Sequence, residues 1–283
     1  MPVFQYRGGA LDLSRRTHIM GILNVTPDSF SDGGRYATAQ AAVERALAIE
    51  AEGADILDIG AQSTRPGCTP ISAEEEWARL EPVLEALRGR VHIPLSIDTY
   101  YPQVACRALD AGAHILNDVS GSLENGMPEV AARYGAGLVM MHAGGGADDE
   151  GAADAVQDVR RYFGIALRAA EKAGLPREAV CLDPGIGFGK GRAGDAELIA
   201  RLPALLEGLP DIAVLVGASR KRVVGMWCGS PPFGERLPGT LAVHTIALWN
   251  GAHILRVHDV AAAVQAARVA DALMANRQRG CGT

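Results

Sequence analysis

Four times along this 283-residue chain a helical stretch runs into Gly-Ala and then directly into a short apolar run, at residues 53–58, 112–117, 135–140 and 251–256. Glycine lacks a Cβ and tolerates the left-handed backbone that closes a helix, so each Gly-Ala marks a helix end. The apolar run that follows suits a strand covered on both faces, as in a parallel sheet wrapped by helices. A repeated unit of helix, tight turn and buried strand restricts the chain to α/β architectures.

Further apolar runs bring the candidate strands to eight, ending near Asn24, Gly60, Asp98, Asp118, His142, Asp183, Gly217 and His258. Amphipathic stretches separate them at 37–52, 72–88, 102–111, 156–173, 196–209 and 241–250, and a last one at 260–274 follows the eighth strand. Ser72 and Glu75 form a capping box that starts one of these helices. Eight strands, in a chain near the ~250 residues typical of such folds, predict one (β/α)8 TIM-barrel domain over residues 1–283, with a short lead-in at about 1–17. A doubly wound open sheet is the alternative that the same alternation allows. Its glycine fingerprint, Gly189, Gly191 and Gly194, lies inside a long loop and not at a strand's end. Gly191 also stands after Lys190 where a P-loop requires Ser or Thr.

Composition narrows the function classes. No segment reaches the ~18 consecutive apolar residues of a membrane span, and residues 1–18 carry Arg7, Arg15 and Arg16 without an apolar stretch of signal-peptide length. A cytoplasmic protein without a membrane partner is expected. The five cysteines are odd in number and scattered without CxxC spacing, which points to free thiols and away from a disulfide framework or a zinc site. A net charge of −6 opposes an extended hold on nucleic acid but leaves room for a local anion site.

In a (β/α)8 barrel the C-terminal ends of all strands share one face, so polar residues far apart in sequence converge there. Asn24, Asp98, Asn117, Asp183, Lys221, Arg256 and His258 all fall at or just beyond expected strand ends. Carboxylates accept hydrogen bonds from ring N–H and amino groups, and an Asn amide both donates and accepts, a set that suits a polar heterocycle. Turn-making or helix-capping is the plainer role of any one of these residues taken alone. Arg256 and His258 are two apart and share a strand face, beside the loops that form this fold's recurrent phosphate site. The long loops at 26–34 and 62–67 have the length of lids that order over a ligand, and Asn24 and Asp32 offer oxygens to a hard cation such as Mg2+.

Taken in order, the chain resembles the dihydropteroate synthase family. The segments are 21–34 (GILNVTPDSFSDGG), 58–60 (DIG), 63–67 (STRPG), 96–98 (SID), 117–121 (NDVSG), Met141-His142, 183–190 (DPGIGFGK), 219–221 (SRK) and 256–259 (RVHD). The resemblance implies a TIM-barrel homodimer, a target of sulfonamides, that joins 6-hydroxymethyl-7,8-dihydropterin diphosphate to p-aminobenzoate with release of diphosphate. By that likeness Asp98, Asn117, Asp183 and Lys221 would hold the pterin, with Met141 and Phe188 lining its slot. Asn24 would bind Mg2+, and Arg256 and His258 the diphosphate. Thr64 and Arg65 would help hold the leaving group and the aromatic amine, Phe30 and Pro66 would wall the aminobenzoate pocket, and Asp32 would steady the reacting cation.

Gln62, Ala143-Gly144 and Arg222 depart from the family's commonest pattern. None is a core pterin ligand, although Gln62 and Arg222 flank the expected aminobenzoate site. The competing readings are an inactive pterin-binding paralogue, which need not keep Asn24, Asp32, Lys221, Arg256 and His258, and a pterin-dependent methyltransferase domain, which gives no reason for the diphosphate and aminobenzoate loops. His142 and His244 are given no role.

Overall fold

The computed structural model describes residues 2–25, 35–62, 69–144, 154–209 and 211–280. An antiparallel hairpin, β1 (Val3–Tyr6) and β2 (Gly9–Asp12), precedes β3 (His18–Asn24). The chain then alternates through α1 (Arg35–Ala51), β4 (Ile56–Gly60), α2 (Ala73–Leu87), β5 (Leu95–Asp98), α3 (Pro102–Asp110), β6 (Ile115–Asp118) and α4 (Met127–Tyr134). It continues with β7 (Gly137–Met141), α5 (Ala155–Lys172), β8 (Val180–Asp183), α6 (Gly191–Ala200), α7 (Leu202–Leu206) and β9 (Ala213–Val216). Last come α8 (Arg222–Trp227), α9 (Leu237–Trp249), β10 (Ile254–Val257) and α10 (Val260–Gly280). β3 to β10 pair in parallel in sequence order and β10 returns to β3, which closes an eight-stranded barrel.

The repeated Gly-Ala does the work expected of it. Gly53, Gly112, Gly135 and Gly251 have φ of 99°, 108°, 63° and 105°, all left-handed. The alanine after each donates its N–H to the carbonyl five residues back, as in Ala113 to Ala108 at 2.9 Å and Ala252 to Ala247 at 3.0 Å. That bond satisfies a carbonyl which a helix end would leave without a partner, and it aims the chain into the next strand.

Inside the barrel the period of two along β4, β6, β8 and β10 separates a lower apolar layer from an upper polar one. Ile56, Ile115, Cys181 and Ile254 belong to a fully buried cluster with Met20, Val139 and Leu215. Two residues further along the same strands stand Asp58, Asn117, Asp183 and Arg256. The hairpin closes the bottom, with Phe4 buried in the lower cluster. β7 opens on a glycine for this reason: a Cβ on Gly137 would lie 2.9 Å from both Phe4 Cζ and Gln5 O. A second cluster fills the space between the barrel and its helices.

The structure departs from the sequence expectation in several places. The lead-in is a folded hairpin. α4 was not expected, because eight residues that include Pro128 are too few to display a helical period. The single helix expected at 196–209 is two helices, α6 and α7, divided where Pro203 has no N–H to give to the turn before it. α9 begins at Leu237, four residues before the expected start, with a proline in its first turn, where the missing N–H costs no bond.

Candidate active site

Asp58, Asn117 and Arg256 of the upper polar layer belong to one connected network. Asp58, fully buried within β4, accepts from Ser96 Oγ at 2.6 Å, Asn117 Nδ2 at 3.1 Å and Arg256 Nε at 2.6 Å. The other end of the Arg256 fork, Nη2, donates to Asp98 Oδ2 at 2.6 Å. Four strands are thereby tied together at the barrel mouth. Asp98 Oδ1 is buried without a hydrogen-bond partner among the described residues, an acceptor at the C-terminal end of β5 left for a ligand.

Burial pushes Asp98 up to about 7, with Arg256 pulling it back and Asp58 adding to the rise. Asp183 is raised by burial too, opposed by Lys221 and by the Gly185 N–H, which donates to its Oδ1 at 2.7 Å. Burial works against the Arg256 charge, and the carboxylates of Asp58 and Asp98 more than offset it, holding the guanidinium above its ordinary value.

Lys221 stands at the entrance of α8, turned back so that Nζ donates to Ile186 O and lies 4.3 Å from the centroid of the Phe188 ring. Burial lowers it to about 8, against the attraction of Asp183. Met141 is buried at the end of β7 beside Asp183, its register partner on β8. His258 follows β10; its N–H donates to Ser219 Oγ at 3.1 Å and its Nδ1 lies 3.0 Å from the same oxygen. Asn24 ends β3 opposite Gly60. The structure thus gathers Asn24, Asp98, Asn117, Met141, Asp183, Phe188, Lys221, Arg256 and His258 on the C-terminal face. Phe30, Asp32, Thr64, Arg65 and Pro66 lie outside the described residues.

Two groups that sequence reasoning left without a role organise this face. Asp58 was passed over because it lies inside a strand, although a carboxylate in the apolar run Ile56-Leu57-Asp58-Ile59 is itself a signal of a buried polar contact. Lys190 donates to the carbonyls of His142 at 2.8 Å, Gly185 at 2.9 Å and Phe188 at 3.0 Å, so it pins the loop after β8 and has no donor left for a phosphate. Gly185, at φ 67°, accommodates this fold of the loop, since a Cβ there would lie 2.0 Å from His142 O. His142 packs edge-on against Tyr162, and His244 Nε2 accepts from the Ala218 N–H at 3.2 Å, both structural placements.

Comparison with known proteins agrees with this barrel. The family model described as pterin binding enzyme matches residues 20–258. A dihydropteroate synthase of Escherichia coli (strain K12) is 42% identical over 276 residues, 96% of each chain. A mitochondrial folate synthesis bifunctional protein of Arabidopsis thaliana is 43% identical, and the chain spans 51% of its length. A dihydropteroate synthase of Xanthomonas albilineans, solved with 4-aminobenzoic acid, superposes with a TM-score of 0.89 at 43% identity, covering 97% of this chain and 98% of that one. A structure of the Xanthomonas albilineans enzyme in complex with 7,8-dihydropteroate gives 0.85 at 37% identity, covering 97% and 99%.

One buried carboxyl beside the network has a pH signature. Thr99, next to Asp98, donates its Oγ1 to Glu76 Oε2 of α2 at 2.6 Å. Burial lifts Glu76 from 4.5 to about 7, opposed by that bond and by Arg79. Between those values the folded chain holds a proton that the unfolded chain has lost, so the group's contribution to stability falls as pH rises through the window. Glu76→Gln carries no charge at any pH and should gain stability relative to the wild type between about pH 5 and about pH 8. Urea unfolding at the two pH values measures this, and a difference independent of pH contradicts it.

Proposed function

The chain belongs to the pterin-binding enzymes, in the dihydropteroate synthase family, and on that premise we propose that it condenses 6-hydroxymethyl-7,8-dihydropterin diphosphate with p-aminobenzoate. The products are 7,8-dihydropteroate and diphosphate. The observation that carries the reading is the upper layer of the barrel, where the partnerless oxygen of Asp98 stands with Asn117 and Asp183 around one mouth. The pterin ring presents N–H and amino donors on one edge, and these buried residues present acceptors.

In the reaction the bond between the pterin methylene carbon and the diphosphate oxygen breaks, and the electron pair leaves with diphosphate. The amine nitrogen of p-aminobenzoate then forms the new bond to that carbon and loses a proton. Asp98, Asn117, Asp183 and Lys221 hold the ring, and Phe188 and Met141 line its slot. Arg256 and His258 neutralise charge on the departing diphosphate, where fixed donors act most strongly because they need no reorganisation. Asp32 would steady the cation on the methylene, with Thr64 and Arg65 at the leaving group and Phe30 and Pro66 around the aromatic amine.

Asn24 is the protein oxygen that would hold Mg2+, and the ion, when bound, supplies positive charge to the diphosphate. Asn24 fits such an ion in kind, since it ends β3 opposite Gly60 at the barrel mouth and brings a neutral amide oxygen, a hard donor. Mg2+ takes few protein ligands and keeps water and phosphate oxygens.

We also infer a homodimer. Ile246 and Trp249 on α9 and Val269 and Leu273 on α10, two helices packed on each other, are 45–62% exposed, and such apolar side chains suit an interface with a second copy. No described helix is long and apolar enough to cross a membrane, and Cys106, Cys181 and Cys228 are free thiols, which supports a cytoplasmic enzyme.

Purified protein given the pterin diphosphate, p-aminobenzoate and Mg2+ should release diphosphate and form dihydropteroate, identified by mass, only when the mixture is complete. Arg256→Ala should lower kcat by about 10²–10³-fold. Pterin binding without product in the complete mixture contradicts the assignment. In sedimentation, Trp249→Glu should run as a monomer where the wild type runs as a dimer; an unchanged sedimentation coefficient contradicts the proposed interface.

A further inference from the structure

We propose that Arg220 and Asp259 form a strap between the loops after β9 and β10, and that this strap positions Lys221 and His258 for the reaction. Arg220 Nε donates to Asp259 Oδ2 at 2.7 Å, and Nη2 donates to Asp259 Oδ1, a two-pronged pair whose side chains are only 24% and 20% exposed. Each partner is the chain neighbour of a site residue. Arg220 immediately precedes Lys221, and Asp259 immediately follows His258. A planar fork on a carboxylate fixes direction as well as distance, which a single contact does not.

The backbone supports this reading. Arg220 has φ 55°, a left-handed conformation that a residue with a Cβ adopts only where its surroundings hold it. The hold comes from three sides. The Arg220 N–H donates to Thr240 Oγ1 at 3.0 Å, its carbonyl accepts from Arg236 Nη1 at 3.1 Å, and its guanidinium lies 5.4 Å from the centroid of the Phe233 ring. Asp259 is anchored in turn, its carbonyl accepting the Ala263 N–H of α10 at 3.0 Å. The left-handed step at Arg220 reverses the chain, so that Lys221 points back over the loop after β8 and meets Ile186 O and the Phe188 ring. On the other side of Arg220, Ser219 Oγ meets the backbone and ring of His258. Two parallel links, Ser219 to His258 and Arg220 to Asp259, therefore join the residue that would hold the pterin to the residue that would hold the diphosphate.

The inference rests on the proposed synthase reading, and the test separates the two. Arg220→Lys keeps the charge and loses the fork, and Asp259→Asn keeps the shape and loses the charge. In the purified enzyme each should lower kcat by about 10–100-fold and raise KM for the pterin diphosphate. KM for p-aminobenzoate should stay within about threefold and thermal unfolding within a few degrees, because neither group touches the aromatic amine or the lower core. The double variant should be no slower than the slower single variant, since a strap broken at either end is broken once. Values of kcat within about twofold of wild type in a folded single variant overturn the proposal, as does a double variant whose losses multiply. If Asp259→Asn does not fold, the kcat of Arg220→Lys decides alone. Absence of turnover by the wild type overturns the synthase reading itself and the strap's role with it.

Discussion

The Arg256 guanidinium, held between the carboxylates of Asp58 and Asp98, is the contact on which the rest of the site depends. Asp58 is fully buried, and an unpaired charge there would not persist. Removing one partner of such a pair typically costs about 3–5 kcal/mol, because the remaining charge keeps its desolvation penalty and loses its compensation. With Ser96 and Asn117 also bonded to Asp58, the network draws β4, β5, β6 and β10 to one point and holds the Asn117 amide where a ligand can use it. One carboxylate supports four strand ends. Arg256 is thus a strut of the barrel mouth as well as a proposed ligand of the diphosphate.

The division of the barrel interior explains why chemistry sits at one end. The strands are short, four residues in most cases, so few interior positions separate the lower end from the upper. The lower positions are apolar and are sealed by Phe4 of the hairpin; the upper ones carry the polar set. Stability and reactivity are thereby placed in different layers of the same strands, as the fold generally allows. Lys190 and Gly185 extend the rigid part upward by binding the loop after β8 to the end of β7. Phe188 and Lys221 then stack above that loop on a fixed base.

Most of this was legible in the chain where local rules act alone. Gly53, Gly112, Gly135 and Gly251 announced helix ends because a left-handed residue has few alternatives to glycine. Asp98, Asn117 and Asp183 were found because a polar residue closing an apolar run must lie at a strand's end. Asp58 was quoted within a family motif without a role, since its importance comes from side chains 38, 59 and 198 residues away in sequence. The hairpin, α4 and the break at Pro203 were missed for a related reason. Short elements gain their stability from packing, and packing is not a local property.

Asp98, whose Oδ1 has no hydrogen-bond partner among the described residues, is the proposed acceptor for the donor edge of a pterin ring. Calorimetric titration of a dihydropterin lacking the diphosphate into the wild type and into Asp98→Asn tests it without requiring turnover. Binding to the wild type should be saturable, and the affinity of the variant weaker by about 10–100-fold, the loss of a hydrogen bond to a charged or partly charged acceptor. Equal affinity for the two proteins would contradict it.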